Sequence, residues 1–346
     1  MLRSAQNATI AKARAMWGKR LLDSDYTRLM NLGSVSDAAE YLKEHTHFAP
    51  ALSGVDTASI HRGFLEALLK KHTFQRFSAL TSFLKPDCDA FNKNYIVRME
   101  ISEIFSFLRF MNAGDAQEYI SSMPSYLVGK TSFDLIAMAK ARTRDDLLDV
   151  LDGTPYEKIV AACAVNDEGF PDYTLCEVAL RTYYYKTLSE LAEKSFKGTD
   201  KDELQRQIGT QIDLINIINA YRMKEFFGAD EESIKQNMFP FSGRIPKSRQ
   251  YDILSADNGE EFLNLLGKTL YGRQLSKIDG RYFEMRLSKL RLLIAKSDFL
   301  NARSSAVCLY CIQYLFDVEL KNVITIIEGI RYKRPPTEIA ALLVLQ

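Results

Sequence analysis

Three acid and polar pairs are the residues in this 346-residue chain whose types and spacing are best suited to chemistry. They are Glu100 with Glu103, Asp213 with Asn216, and Glu319 with Asn322. Residues three apart share one helix face. A carboxylate beside a second polar group there can serve acid–base work or a metal, or can anchor a neighbouring element by hydrogen bonds. Because the pairs recur in register, the third use is expected, as helix-to-helix hydrogen bonding inside each repeated unit. Cys308-x-x-Cys311 is half of a metal site, but no second such pair or histidine group accompanies it, so it reads as core packing. His45-x-His47 would need ligands from elsewhere and is expected at the surface; His61 and His72 follow on a helix.

Other constellations point the same way. Neither a P-loop nor Gly-x-Gly-x-x-Gly occurs, so no backbone cradle for phosphate is indicated. Tyr183-Tyr184-Tyr185 surrounds one helical turn with aromatics, some for the core and the remainder for a partner. Arg331-Tyr332-Lys333-Arg334 mixes an aromatic with cations, as some RNA binders do. With a net charge of only +1, it reads as a helix C-terminus favoured by positive charge. No catalytic, cofactor-binding or metal-ligating residue is predicted, and the chain is expected to grip proteins without catalysing a reaction.

The elements that carry these residues are helices. Apolar residues step by three or four through Ala11–Leu32 and again through Ile212–Phe226. Ser36-Asp37 is predicted to cap the helix bearing Leu42, and Pro336-Thr337-Glu338 to start a final one. No series of alternating strands and hairpin turns is apparent.

Two submotifs occur three times in the same order. The first is an acid, an apolar stripe ending in Leu, then Thr-x-aromatic. Its copies are Asp37–Leu42 with Thr46 and Phe48, Asp146–Leu151 with Thr154 and Tyr156, and Glu261–Leu266 with Thr269 and Tyr271. The second holds the pairs above: Glu100–Ile104, Asp213–Ile217 and Glu319–Val323. Arg109 and Arg222 lie six residues beyond the second polar residue of their copies, where the third copy carries Glu328. The period of about 110 residues is far longer than the roughly 33–47 of thin helical solenoids. Three similar helical domains are therefore expected, over 1–119, 120–236 and 237–346, joined by proline-bearing stretches near 122–130 and 237–247.

Composition sets the outer bounds. An apolar fraction of 47% supports a folded chain. Residues 119–230 carry 13 Lys/Arg against 18 Asp/Glu, while 1–118 and 231–346 are mildly basic. Five scattered cysteines, Cys88, Cys163, Cys176, Cys308 and Cys311, read as reduced thiols of a cytosolic protein. The N-terminus lacks the apolar run of a secretory signal. The longest uncharged stretch, Ser304–Phe316, falls short of the roughly 20 residues that span a bilayer.

Several strings, taken in order, resemble a known family. They are Ala11-Lys12-Ala13-Arg14-Ala15-Met16 with Leu21-Leu22, Asp213–Ile218 with Arg222, and Glu319–Asn322 followed by Ile326–Tyr332, which includes Gly329. The chain resembles the C-type subunits of archaeal and bacterial V/A-type ATPases, the counterpart of the d-type subunits of eukaryotic V-ATPases. Glu328 departs from the arginine common in that family. The resemblance implies three helical domains in a pseudo-threefold, funnel-like arrangement and a non-catalytic rotor part without a cofactor. Its partners would be the central-stalk subunits of D and F type and the membrane rotor ring. It would lie on the cytoplasmic face, peripheral to the membrane, and take part in proton or sodium transport. Glu100, Arg109, Asp213, Asn216, Arg222, Glu319, Asn322 and Gly329 are then marks of the repeated structure and not a binding site. The alternatives are a free-standing helical scaffold with other partners, and an all-α enzyme using Asp213 or Glu319 around a metal.

Overall fold

The computed structural model describes residues 2–81, 87–114, 118–167, 169–240, 243–275 and 282–345. The side chains of residues 2–6 and 87–92 lie outside that description, Cys88 among them, as does part of the joint at 237–247. The described residues form helices with no strand; an isolated antiparallel bridge joins Val165 and Pro171.

The helices are α1 (Leu2–Gly18), α2 (Asp23–Met30), α3 (Val35–His45), α4 (Ala49–Leu52), α5 (Arg62–Thr81) and α6 (Asp87–Asn112). They continue as α7 (Tyr119–Ser122), α8 (Leu135–Lys140), α9 (Arg144–Leu151), α10 (Pro155–Ala162), α11 (Tyr173–Ser195) and α12 (Gly198–Phe227). The last are α13 (Glu231–Gln236), α14 (Lys247–Leu254), α15 (Gly259–Gly267), α16 (Phe283–Asn301), α17 (Ser305–Arg331) and α18 (Pro336–Leu342).

Local chemistry fixes several of these ends. The apolar pattern of Ala11–Leu32 is divided between α1 and α2, because the Asp25 carboxylate accepts from the Leu22 N–H and starts a new helix there. The cap of α3 is Ser34, whose hydroxyl accepts from the Asp37 N–H, and not Ser36; the Ser36 hydroxyl instead donates to the Ala58 carbonyl. Thr143 and Asp146 form a reciprocal capping box on α9. Gly228 ends α12 in the left-handed region, at φ 57°. Pro336 opens α18 at a position where no helical N–H is required.

The chain divides into two compact units. The first comprises Met1–Cys88, Asp202–Gln207 and Gly267–Gln346, so it joins the two ends of the sequence. Its axis is α17, about 40 Å long at 1.5 Å per residue. The N-terminal half of α17 is buried on nearly every face from Ser305 to Gln313. Its C-terminal half contributes Val323, Ile326, Ile327 and Ile330 to a core with Leu29, Leu42, Phe48, Leu65, Leu69 and Ile339. The second unit comprises Asp89–Lys201 and Ile208–Leu266. It is built on α6, α11 and α12, with Phe107, Tyr119, Leu147, Tyr156, Leu214 and Phe262 inside.

Candidate functional site

Burying a carboxylate is costly unless hydrogen-bond donors replace its water. Glu100, Asp213 and Glu319 are nevertheless 3, 3 and 4% exposed. Each is supplied with donors by a segment that begins the following copy of the sequence pattern.

Asp213 on α12 accepts from three successive backbone N–H groups: Gly243 at 3.0 Å, Arg244 at 2.5 Å and Ile245 at 3.2 Å. Glu100 on α6 accepts from the Ser132 N–H and, at 2.6 Å, from the Tyr156 hydroxyl. Burial, and then the Glu100 charge, raise the Tyr156 phenol above its ordinary value, so it stays a donor.

Glu319 on α17 has the richest set. Its Oε1 accepts from the Leu21 N–H at 2.8 Å. Its Oε2 meets His47 Nε2 at 2.8 Å and Arg76 Nη1 at 3.2 Å. Arg76 also donates to the Met16 carbonyl at 3.0 Å and stacks over Phe316 at 4.1 Å. His47 Nδ1 lies 3.5 Å from His72 Nε2. Arg76 Nη1 also lies 3.0 Å from His47 Nε2, so His47, Arg76 and the Glu319 carboxylate form one closed cluster. Burial alone would raise the Glu319 carboxyl, but His47 and Arg76 outweigh it and hold the group below its ordinary range.

The second polar residue of each pair does separate work. Asn216 exchanges two hydrogen bonds with the backbone of Phe239, accepting its N–H at 2.9 Å and donating to its carbonyl at 3.1 Å. Asn322 does the same with Val344, at 3.0 and 2.9 Å. Only an amide offers a donor and an acceptor side by side. Glu103, at the corresponding place on α6, accepts from the Tyr119 hydroxyl at 2.9 Å instead. The Thr-x-aromatic submotif also has a common use. Thr46 and Thr154 donate to the carbonyls of Leu42 and Leu151 and accept from the N–H of Phe48 and Tyr156, while Thr269 accepts from Gly272. Phe48, Tyr156 and Tyr271 are buried behind them.

These findings correct two expectations. Glu100, Asp213 and Glu319 take their donors from the following copy, Glu319 from the first, and not from a helix of their own copy, while Glu103 and Asn322 bond within theirs. A carboxylate reaching several N–H groups at a chain turn saves more unpaired donors than a helix-to-helix bond would. His47 is not a surface residue: its side chain is 5% exposed against 52% for His45, because Glu319 provides the partner that makes burial tolerable. Arg76 and Leu21 were missed. The only trace of Arg76 in the sequence is a basic residue on the inward face of α5, between Thr73 and Phe77. Arg109 and Arg222 are exposed on their helices. Gly329 lets α18 approach α17: a Cβ there would stand 2.6 Å from Ile339. Cys308 and Cys311 are enclosed, and burial pushes the Cys308 thiol up to about 12. Tyr184 and Tyr185 are buried, and Tyr183 packs on Tyr156.

This chemistry holds structure. The spaces beside Asp213 and Glu319 measure about 20 and 30 Å³, room for a water and not for a substrate. A larger pocket, about 350 Å³, lies between α11 and α12, where Glu177 is paired with Arg181 at 2.6 Å and Arg222, Asn219 and Phe227 complete the wall. Among the described residues no group of three His, Cys, Asp or Glu side chains could hold a metal, and no helix is long and apolar enough to cross a membrane.

The fold and these networks define an all-helical structural protein whose buried charges serve as fasteners. The sequence profile of the ATP synthase (C/AC39) subunit family matches residues 9–342, and the chain belongs to that family. It is similar to the C-type subunit of the A-type ATP synthase of Thermococcus kodakarensis, at 25% identity over 78% of this chain and 69% of the relative. It is 27% identical to the same subunit of Thermococcus gammatolerans over 77% of this chain and 68% of the relative. The match to the Pyrococcus horikoshii protein is 24% identical and runs over 96% of this chain and 88% of the relative. The chain is thus a structural subunit of an A/V-type ATP synthase, a partner of its other subunits in ion transport and not its catalyst.

Proposed function

We propose that the chain is the socket through which the central stalk drives, or is driven by, the membrane rotor ring, on the cytoplasmic face. Central-stalk subunits of D and F type would seat on one side and the ring on the other. A torque-bearing part must not yield locally. The observation that carries this reading is the set of buried carboxylates, each fastening a helix to the segment that opens the following copy. Glu319 of the last copy fastens Leu21 and His47 of the first, so the series has no loose end. Such fasteners, with close-packed helices around them, resist deformation.

Within the same reading the chain comprises three tandem helical domains, 1–119, 120–236 and 237–346, each completed by an acid of its predecessor. Glu100, Asp213, Asn216, Glu319, Asn322 and Gly329 maintain the domains, while Arg109 and Arg222 present their cations at the surface. The excess of 18 acidic over 13 basic residues in 119–230 orients a charged partner.

The test is coupling. Membranes carrying the complex without this chain should hydrolyse ATP in the soluble head without translocating ions, and adding the purified chain back should restore transport. Restoration by an unrelated helical scaffold, or full coupling without the chain, would overturn the proposal.

A further inference from the structure

The second unit contains a hairpin that no part of the coupling role uses. Helix α10 ends at Cys163, and the chain then folds back on itself. Asn166 N–H donates to the Phe170 carbonyl at 2.8 Å, Asp172 N–H donates to the Ala164 carbonyl at 2.8 Å, and Val165 bridges Pro171. The Asn166 side chain donates to Asn112 at 2.7 Å and ties the hairpin to α6. Helix α11 then starts with the Asp172 carboxylate capping the Leu175 N–H, and its first turn holds Cys176. The two cysteines thus stand on the two stems of one hairpin.

The register that pairs Ala164 with Asp172 and Val165 with Pro171 sets Cys163 opposite Tyr173. Cys176 follows three residues on along the same face of α11, so the two thiols are neighbours and Cys176 can donate to a Cys163 thiolate. The Cys163 S–H in turn donates to the Ile159 carbonyl at 3.2 Å. Cys176 is enclosed, whereas Cys163 is half-buried and open to a small reagent. The Cys176 hydrogen bond holds the Cys163 thiol below its ordinary value, with burial opposing and Arg144 assisting. Cys308 and Cys311 have no open member: both are enclosed in α17 and burial pushes both thiols up, whereas in the hairpin only Cys176 is raised, by its bond to Cys163 and then by burial.

We propose that Cys163 and Cys176 are a reversible dithiol–disulfide site, with Cys163 the thiol that meets a peroxide and Cys176 the thiol that resolves it. The Cys163 thiolate attacks one oxygen of hydrogen peroxide, the O–O bond breaks, and hydroxide leaves to be protonated to water, giving a sulfenic acid. The Cys176 sulfur, losing its proton, attacks the Cys163 sulfur and expels a second water as the S–S bond forms. Two thiols and one peroxide become one disulfide and two waters; an external dithiol reverses the step by exchange. The bond closes the hairpin covalently between α10 and α11.

The experiment is peroxide titration of the purified full-length chain, followed by alkylation and mass spectrometry. Both cysteines fall in one tryptic peptide, Ile159–Arg181, because no Lys or Arg lies between. The expected result is loss of two hydrogens on that peptide, reversed by dithiothreitol. A further cut at Asp167 or Asp172 should leave two fragments joined through sulfur. The peptide carrying Cys308 and Cys311 should stay reduced at peroxide concentrations at least about ten-fold higher. Cys163→Ser and Cys176→Ser should each abolish the crosslink, and Cys176→Ser should leave Cys163 open to over-oxidation. Sulfinic acid accumulating on Cys163 of the wild-type chain while Cys176 remains free to alkylate would overturn the proposal, as would two cysteines that stay alkylated throughout.

Discussion

Arg76 on α5 and Glu319 on α17 form an ion pair at 3.2 Å with side chains only 9 and 4% exposed, 243 residues apart in sequence. A buried pair is weak evidence of net stabilisation, since desolvation consumes much of the attraction. Its effect appears when one member is removed. Glu319→Leu strands the Leu21 N–H and leaves the Arg76 charge with only the Met16 carbonyl, and Arg76→Met leaves the carboxylate with only Leu21 and His47. Each should lower the unfolding free energy by about 3–5 kcal/mol. The double variant should cost less than the sum, a coupling readable in urea titrations of the full chain. Additive losses would mean that the two groups do not sense each other.

The amide clamps make a sharper prediction, because shape is preserved when Asn becomes Leu or Asp. Asn322→Leu leaves the Val344 N–H and carbonyl without partners, and Asn216→Leu does the same to Phe239. At about 1–3 kcal/mol for each stranded buried group, a loss of about 2–4 kcal/mol is expected per variant. Asn→Asp keeps the acceptor and loses the donor, so it should fall between Leu and wild type above the carboxylate range. Urea midpoints of the variants decide the order.

Gly329→Ala sets two effects against each other. Replacing a helix-interior glycine by alanine favours the helix by about 0.8–1.0 kcal/mol. The new Cβ would meet Ile339 Cδ1 and Cγ1 at 2.6 Å, and Ile339 is itself fully buried. Overpacking of that kind costs about 1–3 kcal/mol, so the variant should be slightly less stable, and Ile339→Val should recover part of the loss. A stabilised Gly329→Ala would show that α18 is not seated against α17.

The histidine cluster sets an acid limit. Burial, then the charges of His47 and Arg76, push the His72 pKa from 6.5 down to about 4. A group with a depressed histidine value is held neutral in the fold while the unfolded chain takes up its proton. Stability is therefore full above pH 6.5, falls as pH drops toward 4, and levels off below. Glu319, held below its ordinary 4.5, adds a loss in the same direction as pH falls through its folded value. His72→Phe should flatten the upper part of this decline in thermal melts between about pH 7 and pH 4. An unchanged profile would remove His72 as the cause.

Much of the secondary structure was legible because helices announce themselves through apolar spacing and punctuation. Pro336 opens α18, and Arg331 closes α17. Boundaries failed where a side chain chose between equivalent hydroxyls, as with Ser34 over Ser36. The acids were legible as hydrogen-bonding anchors, though not in what they hold, because a carboxylate recurring beside aliphatic residues on one helix face has few other uses. Their partners were not. Leu21, Arg76 and Ser132 carry no pattern of their own; a backbone N–H is available at nearly every residue, and topology alone decides which one meets the acid. His47 was misplaced for the same reason, since its burial depends on Glu319, 272 residues away.

The central claim is that this chain works as a rotor part of an A/V-type ATP synthase. The most direct measurement is a pull-down of the tagged chain from gently solubilised native membranes, with partners identified by mass spectrometry. Recovery of central-stalk and ring subunits together, in constant proportion to the chain, is the expected result. An intact ATP synthase assembled with its stalk and ring but without this chain would contradict the account.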